Sequence, residues 1–372
     1  MNSFPATFDH LSFPSRDALK LLGDMGSQGG PSRLKRTTPA PSRQHLTLDL
    51  TAGPVPTDLY LPQEAPRSGL LLVPGVARGG KDDPRLIRFA GSLARLGFAV
   101  LVPQLESLKD LSVRPVYTGI VRDAFRVLAE HPVWSPGGRA GIGGLSFAMG
   151  PGVMAAVTPG VMDKVRFVFC IGGYYDLLAQ TRFVTTGQYR VPLGSAHEWQ
   201  RMEPDPYGRW VLAASLVPHV EDLTSRAAIQ GMIDRREKAP LAEIDDLVAQ
   251  LRDPEARALF DFIQNRDPGQ YDALFTALPT RMVEDLHALN VAACDLSGIR
   301  ARLILVHGYE DDLIHLTHSL GLHQAAPVGQ SRLYLVRGLR HVTMLRPSPL
   351  GLWRLVSAIQ ALLEERGAPG EG

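Results

Sequence analysis

The segment Gly141-Ile142-Gly143-Gly144-Leu145-Ser146-Phe147-Ala148 decides how the whole chain is interpreted. A short strand is predicted over residues 139–145, and a helix is predicted to begin at about Ser146. A turn this sharp requires small residues two positions before and two positions after Ser146, where Gly144 and Ala148 stand. The Ser146 hydroxyl would then lie free at the amino end of a helix, where backbone N–H groups favour negative charge.

Two known patterns fit this segment. One is the nucleophile elbow G-x-S-x-G, with Ala148 in place of the last glycine. The other is the dinucleotide loop G-x-G-x-x-G, but Ser146 stands where its third glycine should be, and the segment does not follow the first strand. The elbow is therefore the better fit, and the backbone N–H of Phe147 is a natural donor to an oxyanion.

On both sides of this segment the chain alternates between strands and helices. Strands are predicted at about 45–50, 58–62, 69–73, 98–102, 139–145, 165–171, 301–306 and 332–336. Helical apolar stripes lie between many of them, and the strand at 58–62 is expected at an edge of the sheet. This alternation predicts an α/β fold with a mostly parallel central sheet flanked by helices.

The alternation stops between about 177 and 298, where no buried strand is predicted. Helices are predicted there over Tyr207–Leu216, Leu223–Arg236, Leu241–Leu251, Pro254–Ile263 and Tyr271–Leu278. The predicted organisation is an N-terminal arm or linker (1–44), a core (45–176 and 299–368) and a helical cap inserted late in the sheet (177–298). The arm is rich in Ser, Pro, Gly and Arg. A short helix capped by Ser15, with Ala18 and Leu21 on one face, is predicted within it, and the stretch from Gly26 to Arg43 is expected to lie solvated on the surface.

A serine nucleophile needs a base, and the base needs an acid that orients it. The strand at 302–306 runs into His307-Gly-Tyr-Glu-Asp311-Asp312, and the last strand runs into Gly338-Leu-Arg-His341. His341 is therefore the predicted base. The acid stays open between Asp311, Asp312 and Asp176, the last of which follows the strand at 165–171.

The elbow, the H-G-x-x-D pattern and the terminal G-x-x-H together resemble the α/β-hydrolase superfamily, within it the dienelactone-hydrolase-like and serine esterase- or peptidase-like members. The resemblance covers roughly 55–176 and 300–365. It implies a Ser146–His341–Asp311 triad, with an oxyanion hole formed by the backbone N–H groups of Val76 and Phe147. Pro74 and Ala148 depart from the family's usual residues, and dienelactone hydrolases proper carry a cysteine nucleophile where this chain has Ser146.

Composition limits the classes of partner. A net charge of +1 gives no reason to expect nucleic acid, and two cysteines form neither a disulfide framework nor a thiolate zinc site. With no predicted signal peptide or membrane span, the protein is predicted to be cytoplasmic. No cofactor or metal is implied, because the spacing of His315, His318 and His323 suits a shared metal face poorly. Nothing in the sequence indicates the oligomeric state.

The predicted function is that of a serine hydrolase whose small-molecule substrate is a carboxylic ester or thioester. The cap is expected to cover the triad and to set acyl specificity, with Tyr174, Tyr175, Trp199 and Trp210 lining the pocket. An acyltransferase or a peptidase would use the same triad, and a binding protein without catalytic activity could share the fold.

Overall fold

The central sheet has eight strands in the order β1-β2-β4-β3-β5-β6-β9-β10. The computed structural model describes residues 15–191, 199–345 and 348–367. The sheet strands are β1 Ser42–Leu50, β2 Gly53–Leu61, β3 Ser68–Val73, β4 Phe98–Pro103, β5 Ala140–Leu145, β6 Val165–Ile171, β9 Arg302–Gly308 and β10 Ser331–Val336. Two-residue strands form two small ladders elsewhere: β7 Gln188–Tyr189 with β8 Gln200–Arg201, and β11 Leu339–Arg340 with β12 Thr343–Met344.

The six strands from β3 to β10 run parallel and are buried on both faces. In β3 every residue is buried, with Leu70 and Leu72 facing one apolar cluster and Leu71 and Val73 facing the other. Such strands are continuous apolar runs in the sequence, which explains why their positions could be predicted. Their shared direction brings the loops that follow β3, β5, β6, β9 and β10 to one edge of the sheet.

The antiparallel part of the sheet corrects one prediction. The strand at 58–62 was expected at an edge, but β2 lies between β1 and β4, and β1 is the edge strand. A central strand forms hydrogen bonds with a neighbour along each of its edges, and proline has no N–H to donate to either neighbour. Pro54 and Pro56 are tolerated because β2 pairs with β4 only over residues 57–60, beyond both prolines.

Helices pack on both faces of the sheet and fill the interval between β6 and β9. They are α1 Arg16–Gly26, α2 Arg33–Thr37, α3 Pro84–Arg95, α4 Val116–Glu130, α5 Met149–Ala156, α6 Leu177–Thr186, α7 Pro206–Leu216, α8 Leu223–Lys238, α9 Asp245–Val248, α10 Pro254–Gln264, α11 Tyr271–Thr276, α12 Thr280–Ala288, α13 Thr317–Ala325 and α14 Pro349–Glu364. This arrangement is the α/β architecture that the sequence predicts. None of the helices in the described part of the chain combines the length and the apolar character needed to cross a bilayer.

The insertion between β6 and β9 contains α6 to α12, and it differs from the prediction in three helices. The helix predicted over Leu241–Leu251 is reduced to α9, because Leu241 is 89% exposed and adds no apolar contact. Helices α6 and α12 were not predicted. For α6 a signal was present, since Asp176 caps its first turn and Gly187 ends it with a φ of 75°.

The N-terminal segment packs on the core over its described part. Ala18 and Leu21 of α1 and Leu34 of α2 are fully buried, and α1 lies against α14 and α3. Ser15 caps α1, which fixes where the segment enters the core. The short helix predicted after Ser15 is present as α1. Within the stretch expected to be solvated, Ser32 and Leu34 are buried, whereas residues 26–31 and 36–41 are exposed or half-buried. The domain boundaries remain a prediction, although β1 begins at Ser42 rather than at residue 45.

Candidate active site

Ser146 lies at the turn from β5 to α5 with a φ of +61°, a left-handed conformation that residues other than glycine rarely adopt. The approach of the chain around it explains the small residues. A Cβ atom on Gly144 would lie 2.6 Å from Met149 Sδ and 3.2 Å from the carbonyl oxygen of Val73. Ala148 is itself 2% exposed, which leaves little room for a larger side chain. The segment therefore has the strained strand–turn–helix geometry of an elbow.

Three of the predicted residues form one chain of hydrogen bonds. His341 Nε2 lies 2.8 Å from Ser146 Oγ, and His341 Nδ1 lies 3.0 Å from Asp311 Oδ2. The loop after β5 carries Ser146, the loop after β9 carries Asp311, and the loop between β11 and β12 carries His341. Parallel strands thus deliver side chains that are 195 residues apart in sequence to bonding distance.

Both carboxylate oxygens of Asp311 have hydrogen-bonding partners. Its side chain is inaccessible to solvent, and its Oδ1 accepts the backbone N–H groups of Leu313 and Ile314, each at 3.0 Å. Burial opposes its ionisation, but the hydrogen bonds from His307 and His341, together with the electrostatic influence of the two rings, outweigh burial and lower the pKa of Asp311 below its ordinary value. An ionised Asp311 only accepts hydrogen bonds, so His341 carries its proton on Nδ1 and can accept the Ser146 O–H at Nε2.

His307 is a second histidine on Asp311, and the sequence analysis gave it no separate role. Its Nε2 lies 2.8 Å from the carbonyl oxygen of Ile314 and 3.3 Å from Asp311 Oδ2. Because both neighbours are acceptors, Nε2 carries a proton, and Nδ1 accepts from the Ser319 hydroxyl at 2.7 Å. The ring ties the loop of Asp311 to α13. The H-G-x-x-D spacing was the signal that could have placed His307 beside the acid.

The two other acids lie elsewhere. Asp312 Oδ1 accepts from Arg340 Nε at 2.9 Å. Asp176 Oδ1 accepts the N–H groups of Leu178 and Ala179 as the cap of α6. Neither makes a hydrogen bond to His341 in the described residues, so the geometry favours Asp311.

A pocket of about 410 Å³ opens beside Ser146. Val76 and Phe147, the two predicted oxyanion-hole residues, both line it together with His341. No described residue accepts a hydrogen bond from the N–H of Val76, which leaves this donor available. Arg85 also lines the pocket, but its guanidinium already binds the Asp83 carboxylate.

The apolar wall of this pocket comes from residues that the sequence analysis did not single out. Met25 of α1, Leu86 and Phe89 of α3, and Tyr207 of α7 all line it. Burial raises the pKa of Tyr207 to about 12, so its phenol stays protonated. The sequence does indicate the helix that carries Tyr207, because Asp205-Pro206 marks the start of α7. Nothing in the sequence indicated that Met25 would lie there.

The four aromatic residues predicted to line the pocket are not among the residues that line it. Tyr174 is buried, and its hydroxyl donates to the carbonyl oxygen of Leu289. Tyr175 and Trp199 line a separate pocket beside His315, and Trp210 is buried in the core. The packing of an aromatic side chain depends on the space that neighbouring elements leave, which a single sequence does not reveal.

The histidines after β9 have structural partners. His318 Nδ1 accepts the N–H groups of Tyr175 and Asp176, and His323 Nδ1 lies 2.6 Å from Ser331 Oγ. Burial lowers the pKa of His318 and of His315 to about 3. Among the described residues, no group of three or more His, Cys, Asp or Glu side chains is arranged to hold a metal ion.

Comparison with known proteins gives relatives in fold. No protein-family model and no curated protein matches the chain. A hyperthermophilic esterase from the archaeon Pyrobaculum calidifontis is 13% identical, with 94% of this chain and 91% of that chain covered and a TM-score of 0.50. The rice cell wall degrading esterase LipA from Xanthomonas oryzae is 11% identical, with 92% of each chain covered and a TM-score of 0.51. At identities this low, the structural likeness shows a shared fold alone. That fold is the α/β-hydrolase fold.

Proposed function

We propose that the protein is a serine hydrolase that cleaves a carboxylic ester or thioester through an acyl-enzyme on Ser146. The observation that carries this proposal is the continuous set of hydrogen bonds from Ser146 Oγ through His341 to Asp311. A binding protein without catalytic activity has no need for a strained serine aligned with a histidine and a buried carboxylate.

The first half of the reaction forms the acyl-enzyme. His341 Nε2 takes the proton of Ser146 as Oγ attacks the acyl carbon, and Asp311 stabilises the imidazolium that results. The backbone N–H groups of Val76 and Phe147 donate to the oxyanion of the tetrahedral intermediate. When the bond to the leaving oxygen or sulfur breaks, His341 returns the proton to the leaving group.

The second half releases the acid. Water loses a proton to His341 as it attacks the acyl carbon, and Ser146 Oγ leaves and regains the proton. Ordinary side-chain and backbone groups supply every proton transfer and hydrogen bond in this sequence of steps.

The lining of the pocket supports an uncharged, partly apolar substrate. Met25, Leu86 and Phe89 form a continuous apolar wall, whereas the nearest cation, Arg85, is already neutralised by Asp83. A substrate carboxylate would therefore find no free positive charge there, and an ester or thioester with apolar groups fits better.

Steady-state hydrolysis of p-nitrophenyl esters by the full chain tests the proposal. The expected result is turnover that Ser146→Ala abolishes, while Ser297→Ala, at an exposed serine on the loop before β9, keeps wild-type rates. Equal rates for wild type and Ser146→Ala would overturn the proposal, because the residual activity would then not depend on the proposed nucleophile.

A further inference from the structure

A second, smaller cavity lies behind Phe147 on the side of the helical insertion. Its volume is about 30 Å³, and α6, α7 and α12 supply most of its apolar walls. Phe147 lines both this cavity and the Ser146 pocket, so the two spaces adjoin the same residue. A space of this size holds a group of one or two heavy atoms.

The polar side chains around the cavity are almost all satisfied. The Tyr174 hydroxyl donates to the carbonyl oxygen of Leu289, and Thr181 Oγ1 bonds the carbonyl oxygen of Leu178 and the Tyr271 hydroxyl. Ser215 Oγ donates to the carbonyl oxygen of Val211 and accepts the N–H of Val113. These groups therefore have no unmet need for a ligand.

Gln180 of α6 is the exception. Its side chain is 1% exposed and lines the cavity, and its Oε1 is buried with no hydrogen-bond partner. Its Nε2 donates to the carbonyl oxygen of Leu313 at 2.7 Å. Exchanging the two amide atoms would place Oε1 against that carbonyl oxygen, where two acceptors repel each other, so this bond fixes the orientation of the amide. The unused acceptor costs free energy until a donor reaches it.

We propose that this cavity receives the end of the substrate's acyl group, and that Gln180 Oε1 accepts a hydrogen bond from a hydroxyl on that group. The inference rests on the proposed function, and it names the substrate class as esters or thioesters of short hydroxy acids. An ammonium group fits poorly, because apolar walls and a neutral amide would not replace its hydration. A purely apolar chain would leave Oε1 without a partner.

The position of the cavity supports an acyl group as its occupant. Phe147 directly follows the proposed nucleophile and lines both spaces, so the cavity lies next to the pocket in which the acyl carbon would be attacked. Leu313 lies on the same side, since its side chain lines the Ser146 pocket and its carbonyl oxygen binds Gln180. Phe147 and Leu313 thus connect the Ser146 pocket with the surroundings of Gln180.

The test compares matched esters. The probes are p-nitrophenyl 3-hydroxybutanoate against butanoate, and p-nitrophenyl 6-hydroxyhexanoate against hexanoate. For at least one pair, the wild-type kcat/KM is expected to favour the hydroxy ester about tenfold or more, because a buried acceptor discriminates strongly against an analogue that lacks the donor. Gln180→Met is expected to bring that ratio to about one.

The ratio of kcat/KM for a hydroxy ester to that for its matched ester distinguishes a lost hydrogen bond to the substrate from a general loss of structure. Gln180 also supports the loop of Asp311 through Leu313, so its loss lowers the rates for both esters, and that effect cancels in the ratio. Gln264→Met is the matched control. It makes the same substitution at a glutamine with an unpaired amide nitrogen at the end of α10, away from the cavity, and it is expected to keep the wild-type ratio.

Further outcomes decide the inference. Leu212→Phe fills the cavity from α7 and is expected to abolish the hydroxyl preference even if Gln180→Met does not fold. A wild-type ratio near one for both pairs, with hydrolysis that depends on Ser146, overturns this inference alone. A preference that survives Gln180→Met or Leu212→Phe also overturns it. Absence of any Ser146-dependent hydrolysis overturns the proposed function and this inference together.

Discussion

The Ser146 pocket and the cavity behind Phe147 share that residue in their linings, but different parts of the chain build most of their walls. The hydrogen-bonded groups of the pocket come from loops at the ends of sheet strands. The cavity is walled mainly by helices of the insertion, and only Gln180 Oε1 offers it an unpaired polar atom. One space is defined by directed hydrogen bonds and the other by shape.

This difference separates two tasks. Proton transfer requires atoms placed within a few tenths of an ångström, and a sheet with fixed register provides that precision. Apolar walls tolerate more variation, because burial depends on area rather than on direction. We therefore expect substitutions in the loops to change the rate of the chemistry, and substitutions in the insertion to change which substrate is preferred.

The largest expected effect is at the acid. Asp311→Asn is expected to lower kcat by about 10⁴, as loss of the orienting carboxylate does in other serine triads. The amide cannot both accept from His341 Nδ1 and stabilise the imidazolium. Asp312→Asn is the matched control at the next residue and is expected to stay within a few-fold of wild type, since Asp312 binds Arg340. Steady-state kinetics of Asp311→Asn, Asp312→Asn and Asp176→Asn measures these effects. A larger loss of kcat in Asp312→Asn or Asp176→Asn than in Asp311→Asn would show that the acid is another residue.

A smaller effect is expected at the pocket wall. Tyr207→Ala removes a half-buried ring of α7 from the Ser146 pocket and is expected to raise KM for apolar esters about five- to tenfold. Trp199→Ala is expected to change nothing there, because Trp199 lines a different pocket. Measuring kcat and KM over a series of ester chain lengths checks both variants. A change in chain-length preference caused by Trp199→Ala alone would show that the wall has been assigned to the wrong residues.

The smallest expected effect is at the junction of core and insertion, where His318 accepts two backbone N–H groups. Burial, followed by the unfavourable electrostatic influence of His307 and His315 on a second charge, lowers the pKa of His318 to about 3. The unfolded chain binds this proton below about pH 6.5, so the folded state loses stability as the pH falls from there towards 3. His318→Asn keeps an acceptor without that titration.

The expected result is an acid-unfolding midpoint at lower pH for His318→Asn than for wild type. Thermal unfolding followed by circular dichroism between pH 7 and pH 3 measures it. His287→Asn changes an exposed histidine of α12 and serves as the control. A His318→Asn variant as acid-sensitive as the wild type would mean that this histidine does not titrate on unfolding.

The strands of the sheet and the loops that carry Ser146, Asp311 and His341 could be predicted from the sequence, because their signals are local. The run Leu70–Val73 is apolar on every residue and ends at Pro74-Gly75, as a strand buried on both faces should. His341 and Asp311 follow predicted strands, and the ends of parallel strands meet at one edge. The sequence alone did not distinguish Asp311 from Asp312 and Asp176 as the acid. The geometry favours Asp311, because of these three residues it is the one that bonds His341.

The residues that line the pocket could not be predicted from the sequence, because they depend on contacts between elements far apart in the chain. Met25 lines the pocket because α1 packs on α3 and α14, and a helix predicted after Ser15 does not by itself show which elements it will pack against. Trp210 lies in a helix predicted almost to the residue, yet its face could not be assigned to core or pocket. Helix position is a local property, whereas helix orientation follows from tertiary packing.

The identity of the nucleophile is the central claim, and covalent labelling tests it most directly. The full-length protein would be treated with a fluorophosphonate, digested and mapped by mass spectrometry. The account predicts one stoichiometric adduct, on Ser146, that forms far more slowly in Asp311→Asn and is absent from Ser146→Ala. An adduct on another serine, or hydrolytically active protein that carries no adduct, would contradict it.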